Sequence, residues 1–259
     1  MPDRALKLVH TSDVHLDGRY VGEPVDGFRN HAERAFAAVV DVTLEETADL
    51  LLIAGDLFDN NRVPDEDFVF VRDQLARLSC PVLVLPGNHD VHDHYSIWRR
   101  LFRRMEADDV GGHVHLILET EGTSIEFEDL GVTAWGRAMT EHAPENEPLE
   151  GVPVRREGVW NIGLAHGLVV SKREGIGSSQ ITHEEIRASG FDYLALGHVH
   201  VWGDMSQGSV TACYPGSPVG SYASAAGGHV AVASFRPGHG VELKRRKVDE
   251  APQRRRGPF

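Results

Sequence analysis

The stretch Gly197-His198-Val199-His200 sets two imidazoles on either side of one valine, directly after the apolar run Tyr193-Leu194-Ala195-Leu196. Residues two apart in extended backbone point the same way, so both rings can face one site. One such pair is weak evidence, because a loop histidine is more often solvated than ligating. The same residue types recur, each time where a strand-like run stops. Asp13 and His15 follow "ALKLVH", Asp56 follows "DLLLIA", Asn88 and His89 follow "PVLVLP", and His166 follows "VWNIGLA". In open α/β sheets, residues far apart in sequence converge outside the carboxyl ends of the strands.

Asp, Asn and His, without a thiolate cluster or a Ser-His arrangement, suit divalent cations such as manganese, iron or zinc. With His89 set aside, seven candidate ligands stand at these exits: Asp13, His15, Asp56, Asn88, His166, His198 and His200. That is too many for one ion. Two ions about 3.5–4 Å apart, sharing one carboxylate, can clamp the attacking and leaving oxygens of an in-line phosphoryl displacement. Two divalent charges less two carboxylates and one bridging hydroxide leave a positive site, which favours a phosphodiester anion over a neutral substrate.

The elements that must position these residues alternate in kind. Apolar runs near residues 5–10, 49–54 and 81–86 are separated by the helical patterns "HAERAFAAVVDVTLEETA" and "DEDFVFVRDQLARL", the first with Phe36, Val39, Val40 and Leu44 at core spacing. Alternation of strand and helix predicts an α/β domain with largely parallel central strands. A helix at "YSIWRRLFRRMEA" follows, and then "HVHLILE", "TSIEFED" and "GVTAWGR" predict short antiparallel strands. The Pro- and Glu-rich "EHAPENEPLEGVPVRRE" predicts a loop, "THEEIRAS" a short helix capped by Thr182 with Glu185 three residues on, and "HVAVASFRPGHGVELKRRKV" two last strands around a turn. Residues 1–249 are expected to form one domain and residues 250–259 a disordered tail.

The chain of 259 residues is long enough for a substantial core. Cys80 and Cys213 stand too far apart for a thiolate site and suggest no disulfide framework. With no long apolar segment, the sequence predicts a soluble, cytoplasmic protein without membrane association. Its 26 Lys and Arg against 39 Asp and Glu give a formal charge of -13, which opposes unaided attraction to DNA, although ions bound by buried carboxylates reverse that sign locally.

In order, "DVH", "GDLFD", "GNHD", "AHG" and "GHVH" resemble the motifs of the calcineurin-like metallophosphoesterase superfamily. The resemblance implies a four-layer α/β sandwich, two mixed sheets flanked by helices. It implies that Asp13, His15, Asp56 and His200 hold one metal, that Asp56, Asn88, His166 and His198 hold the other, and that Asp56 bridges. His89 would then contact the scissile phosphate or protonate the leaving oxygen, a role open to imidazole near neutral pH. Within the superfamily, "TSDVHLDG", "AGDLFD", "FDYLALGHVH" and "YPGSP" look most like the SbcD type of DNA-repair nuclease. That type carries C-terminal parts that cap the DNA and engage an ATPase partner of SbcC type. Only residues 201–259 follow His200, so a full cap and docking region are not expected. Asp59 stands where some of these nucleases have histidine.

The reading is a dinuclear phosphodiesterase, a DNA exonuclease or endonuclease with manganese and a hydroxide held between the ions. A phosphodiesterase or phosphatase for small molecules such as cyclic nucleotides, or a non-catalytic partner-binding subunit, are the alternatives. Dimerisation stays open. His113 and His115 precede their apolar run and are expected at the opposite sheet edge, His92 and His94 in a solvated loop, and "GIGSSQ" in a loop at the rim. Asp59 and Asp90 are expected to orient imidazoles or to cap turns. Two basic clusters, Arg99, Arg100, Arg103 and Arg104 on one helix and "KRRK" with "RRR" at the end, are candidates for phosphate-backbone contact.

Overall fold

The computed structural model describes residues 2–16, 26–107, 112–173, 177, 179–219 and 228–248. The expected tail at 250–259 lies outside the described residues, as do Gly175, Ile176 and Ser178 of "GIGSSQ". The first half alternates: β1 (Leu6–Thr11), α1 (His31–Glu45), β2 (Leu50–Ala54), α2 (Asp65–Leu75), β3 (Val82–Leu85), α3 (Ile97–Ala107) and β4 (Val114–Leu116). Then come β5 (Thr123–Phe127), β6 (Val132–Gly136), β7 (Trp160–His166), β8 (Leu168–Val170), β9 (Gln180–Thr182) and α4 (His183–Ala188). The chain continues through β10 (Tyr193–Gly197), β11 (Gly203–Asp204), β12 (Thr211–Tyr214), β13 (His229–Arg236) and β14 (Gly240–Lys247).

Two six-stranded sheets result, in the orders β14-β13-β1-β2-β3-β4 and β11-β12-β10-β7-β6-β5. Both are mixed: β1 to β4 are parallel with β13 antiparallel to β1, and β12, β10, β7 and β6 are parallel with β5 and β11 antiparallel at the edges. The two-residue period of the strands sorts their side chains between cores. Leu6 and Leu8 of β1 and Leu50, Leu52 and Ala54 of β2 meet Ile162, Leu164, Tyr193 and Ala195 of the other sheet. Val9, Leu51 and Ile53 point the opposite way, onto Phe36, Val39 and Val40 of α1 and Val71 of α2. Each fully buried leucine contributes roughly 1.5–3 kcal/mol relative to exposure. Helices thus cover one outer face; the other is covered by α4, whose capping box of Thr182 and Glu185 forms as expected.

Two expectations are corrected. Leu44 is 42% exposed, and Val42 takes the buried position on α1 instead. The run at 113–118 is no part of an antiparallel meander: β4 pairs parallel with β3, because α3 crosses over and returns the chain to the first sheet. Among the described residues, no helix is long and apolar enough to cross a membrane, and both cysteines are free.

Candidate metal centre

The carboxyl ends of β1, β2 and β3 in one sheet meet those of β7 and β10 in the other; His166 is the last residue of β7, and the loops leaving the other four strands carry the remaining six predicted ligands. The join is tight: the His166 ring nitrogen Nδ1 lies 2.9 Å from the Ala54 carbonyl across the sheet interface. A Cβ at Gly55 would overlap His166 Nδ1, and one at Gly197 would overlap the Ala54 carbonyl. Gly55 also takes φ 89. Asp13, His15, Asp56 and His198 take φ of 56, 53, 52 and 101, where a residue with a Cβ is strained by on the order of 1–3 kcal/mol. Backbone bonds hold the strain: Asp13 N–H donates to the Gly55 carbonyl and His15 N–H to the Asp56 carbonyl, both at 3.0 Å.

The side chains gather in two overlapping groups. His200 Nε2 stands 3.5 Å from Asp13 Oδ1 and 3.1 Å from His15 Nε2, and His15 Nε2 is 3.8 Å from Asp56 Oδ2. On the other side, His166 Nε2 is 3.3 Å from the same Asp56 oxygen and 3.0 Å from Asn88 Oδ1, which lies 2.9 Å from His198 Nδ1. Asp56 Oδ2 is therefore the atom common to both groups. Asp13, Asp56 and His166 are buried, whereas the His200 side chain is 56% exposed. His89 adjoins the centre through its backbone N–H, which donates to Asp56 Oδ1 at 2.9 Å, and its ring lies 4.7 Å from that of His15.

Hydrogen bonding fixes which ring nitrogens face inward. His15 Nδ1 donates to Asp59 Oδ1 at 3.1 Å and His166 Nδ1 to the Ala54 carbonyl, leaving each Nε2 turned toward the centre. There His166 Nε2 meets two acceptors, Asp56 and Asn88, a situation that only a proton or a cation satisfies. Burial alone would lower His166, but the Asp56 carboxylate outweighs it and raises the pKa to about 9. Burial would likewise raise Asp56, yet His166 holds it well below the usual carboxylate range. Burial keeps His15 and His198 low, against the pull of Asp56 and Asp13. Neutral imidazoles, buried carboxylates and one amide oxygen form a donor set that fits two divalent cations.

The surrounding residues divide. Asp59 orients imidazoles, touching His15 through its carboxylate and His89 Nδ1 through its carbonyl at 2.9 Å. Asp90 does not; its carboxylate accepts from the Gly87 and Phe58 N–H groups and ties the two loops together, and burial, with Asp56 nearby, pushes it up to about 7. His113 and His115 sit at the far end of β4, against the Leu75 carbonyl and the Phe127 ring. "YPGSP" acts as a clasp: Ser217 N–H donates to the His200 carbonyl and Ser217 Oγ to the Asp13 carbonyl. "KRRK" is engaged structurally, with Arg246 on Glu45, the last residue of α1, and Lys244 beside Glu46, which caps it. Arg100 is paired with Asp65 at 2.9 Å. Sequence reasoning misses His142, whose ring lies 5.9 Å from that of His198. Nothing in its Pro- and Glu-rich surroundings marks it, because its approach depends on how the long loop folds back.

The family described as calcineurin-like phosphoesterase matches residues 6–202. Over 226 residues the chain is 27% identical to YhaO of Bacillus subtilis, named an uncharacterized metallophosphoesterase, covering 82% of this chain and 53% of that one. It is 26% identical over 236 residues to the DNA double-strand break repair protein Mre11 of Methanopyrus kandleri, covering 82% and 49%. The chain thus spans about half the length of these relatives. Among solved structures, TT1561 of Thermus thermophilus superposes with a TM-score of 0.62 at 14% identity, over 95% of this chain and 100% of that one. A dimetal phosphatase from Danio rerio does so at 0.59 and 13%, over 95% and 97%. The two structural likenesses speak for the fold.

Proposed function

Because the chain belongs to the calcineurin-like phosphoesterase family and is a metal-dependent phosphoesterase, we propose that it hydrolyses phosphodiester bonds of DNA, in the manner of the SbcD type. The observation that carries the reading is Asp56 Oδ2, within 3.8 Å of His15 Nε2 and 3.3 Å of His166 Nε2, as a carboxylate shared by two cation sites requires. The DNA-repair name of the Mre11 relatives supports the choice of substrate.

Asp13, His15, Asp56 and His200 would hold one cation, and Asp56, Asn88, His166 and His198 the other, with manganese the proposed metal. When bound, two such ions supply the Lewis acidity that activates water and offsets charge on the phosphate. The chain supplies the rest. Asp59 and Ala54 hold His15 and His166 in the tautomers that present Nε2. Asp13 accepts from the His198 N–H at 3.1 Å and so fixes the "GHVH" turn against β1. His89 Nδ1–H donates to the Asp59 carbonyl, which leaves Nε2 for the leaving oxygen; the ring passes that oxygen a proton from its doubly protonated form, in which Nε2 also carries a hydrogen, and is left as the neutral Nδ1–H tautomer. Residues 1–249 are taken as one domain carrying this activity.

The test is hydrolysis of a panel comprising a single-stranded oligonucleotide, a cyclic nucleotide and a phosphopeptide, with manganese and with EDTA. Manganese-dependent cleavage of the oligonucleotide is expected. Phosphopeptide hydrolysis far faster than that of any oligonucleotide would replace the nuclease reading with a phosphatase one.

A further inference from the structure

The two loops that carry Asp59 and His89 continue past the metal centre and form the walls of a groove of about 720 Å³, floored by the first turns of α3. Asn61 and Arg62 line it from the first loop, His94 and Tyr95 from the second, and Arg99 and Arg103 from the helix. We propose that this groove is a binding subsite for a single strand of DNA, in which Arg99 and Arg103 grip backbone phosphates and Tyr95 stacks on an unpaired base. The proposal rests on the nuclease reading above and extends it to where the strand lies outside the reacting phosphate.

Three observations carry it. First, the charge is unspent. In a chain of net charge -13, Arg62, Arg99 and Arg103 are all exposed, and among the described residues none of the three forms an ion pair, whereas neighbouring Arg100 is neutralised by Asp65 and lies over the Phe68 ring. Arg99 and Arg103 stand four residues apart on one helix face, about 5–6 Å between Cβ atoms, close to the separation of neighbouring phosphates along a strand. Guanidinium forks suit phosphate oxygens. Second, Tyr95 is 84% exposed, among the described residues the second most exposed of the large hydrophobic side chains after Val154, and an aromatic face beside a cationic track is what binds unpaired bases regardless of sequence. Third, the groove is built in advance. Asn61 Nδ2 donates to the Val91 carbonyl at 3.0 Å and its Oδ1 accepts from Ile97 N–H at 3.1 Å, so one side chain joins both walls to the start of α3. Asp93 Oδ1 accepts from Tyr95 N–H at 2.8 Å, and Trp98 Nε1 donates to the Asp90 carbonyl at 2.6 Å. The same residues that fix the metal loops therefore fix the groove, and a strand lying in it is registered against His89.

The assay compares wild type with Tyr95→Ala and with the double variant Arg99→Ala, Arg103→Ala. None of these residues belongs to the metal centre. Binding of a fluorescein-labelled oligothymidylate of about twelve nucleotides is measured by anisotropy across a salt series, and turnover is measured on that oligonucleotide and on bis(p-nitrophenyl) phosphate. Tyr95→Ala should weaken single-strand binding about tenfold, the loss of one base stack. It should leave binding of a blunt duplex of equal length unchanged. The arginine double variant should lower the slope of log affinity against log salt by about 1.4, since each single-strand phosphate contact releases about 0.7 counterion. Hydrolysis of the small diester should be unaffected in both. Unchanged oligonucleotide affinity and salt slope, or equal losses on the oligonucleotide and the small diester, would overturn the subsite. Should wild type bind the oligonucleotide without cleaving it, and the variants lose that binding, the subsite stands and the nuclease reading fails.

Discussion

Replacing Asp59 with asparagine isolates what a carboxylate behind the metal ligands contributes. Asp59 Oδ1 lies 3.1 Å from His15 Nδ1 and 3.5 Å from His89 Nδ1, while the Asp59 carbonyl bonds His89 Nδ1 at 2.9 Å. Asparagine keeps an oxygen able to accept from His15, removes the negative charge and leaves the backbone bond to His89 in place. Loss of such an orienting partner costs about 10- to 100-fold in metal affinity or activity. The Asp59 side chain is 31% exposed, so solvent screens part of its charge. The lower end, about tenfold, is therefore expected for Asp59→Asn, and a value toward the upper end for Asp59→Ala, which removes the acceptor as well. The assay is the manganese dependence of bis(p-nitrophenyl) phosphate hydrolysis. Half-saturation should shift to higher manganese while kcat at saturation stays near that of wild type, because His89 keeps its carbonyl partner. A loss of kcat that excess manganese does not restore would move Asp59 into the proton-transfer step. An unchanged manganese dependence would show that the carboxylate does not hold His15 in place.

His89→Asn should retain bound manganese and lose turnover by about 10²- to 10⁴-fold, read by metal analysis and initial rates together; loss of metal would make His89 a ligand. In the metal-free protein, His166 is raised from 6.5 to about 9 and buried Asp90 from 3.8 to about 7, so both stabilise the fold at low pH and lose that contribution as pH rises. Depressed Asp56 acts in the opposite sense, its contribution present above the ordinary carboxylate range and lost only in strong acid. The melting temperature of EDTA-treated protein should accordingly fall from about pH 4 to 7 as Asp90 titrates and again from about pH 6.5 to 9 as His166 does, and saturating manganese should flatten the upper fall, since a cation replaces the His166 proton; parallel curves there would refute it. Gly55→Ala should lower the melting temperature and weaken metal binding, because its methyl overlaps His166 Nδ1 and its φ of 89 disfavours a Cβ; normal metal affinity would contradict the close approach of the sheets.

How far the sequence reaches is visible in particular residues. Asp13, Asp56, Asn88, His166 and His198 can be found without coordinates because each ends an apolar run, and burial of such a run dictates both the strand and the place where it stops. The division of those runs between two sheets is not readable from period or length, and it is this division that brings His166 against Ala54. The pairing of β4 escapes the sequence because a three-residue strand carries too few side chains to distinguish parallel from antiparallel neighbours. The roles of Asp59 and Asp90 look alike in sequence and separate only in space, one touching imidazoles and the other backbone amides. The arginines of α3 likewise look equivalent until Asp65 is seen to claim Arg100 and leave Arg99 and Arg103 exposed.

In the proposed centre, His166 at the end of β7 and loops from both sheets build one two-cation site joined through Asp56. Metal analysis of manganese-loaded protein, wild type beside Asp56→Ala and His15→Ala, tests it most directly. Wild type should approach two ions per chain, His15→Ala should chiefly weaken one site, and Asp56→Ala should deplete both. One full ion retained by Asp56→Ala, or hydrolysis undiminished in excess EDTA, would rule out a centre bridged by Asp56.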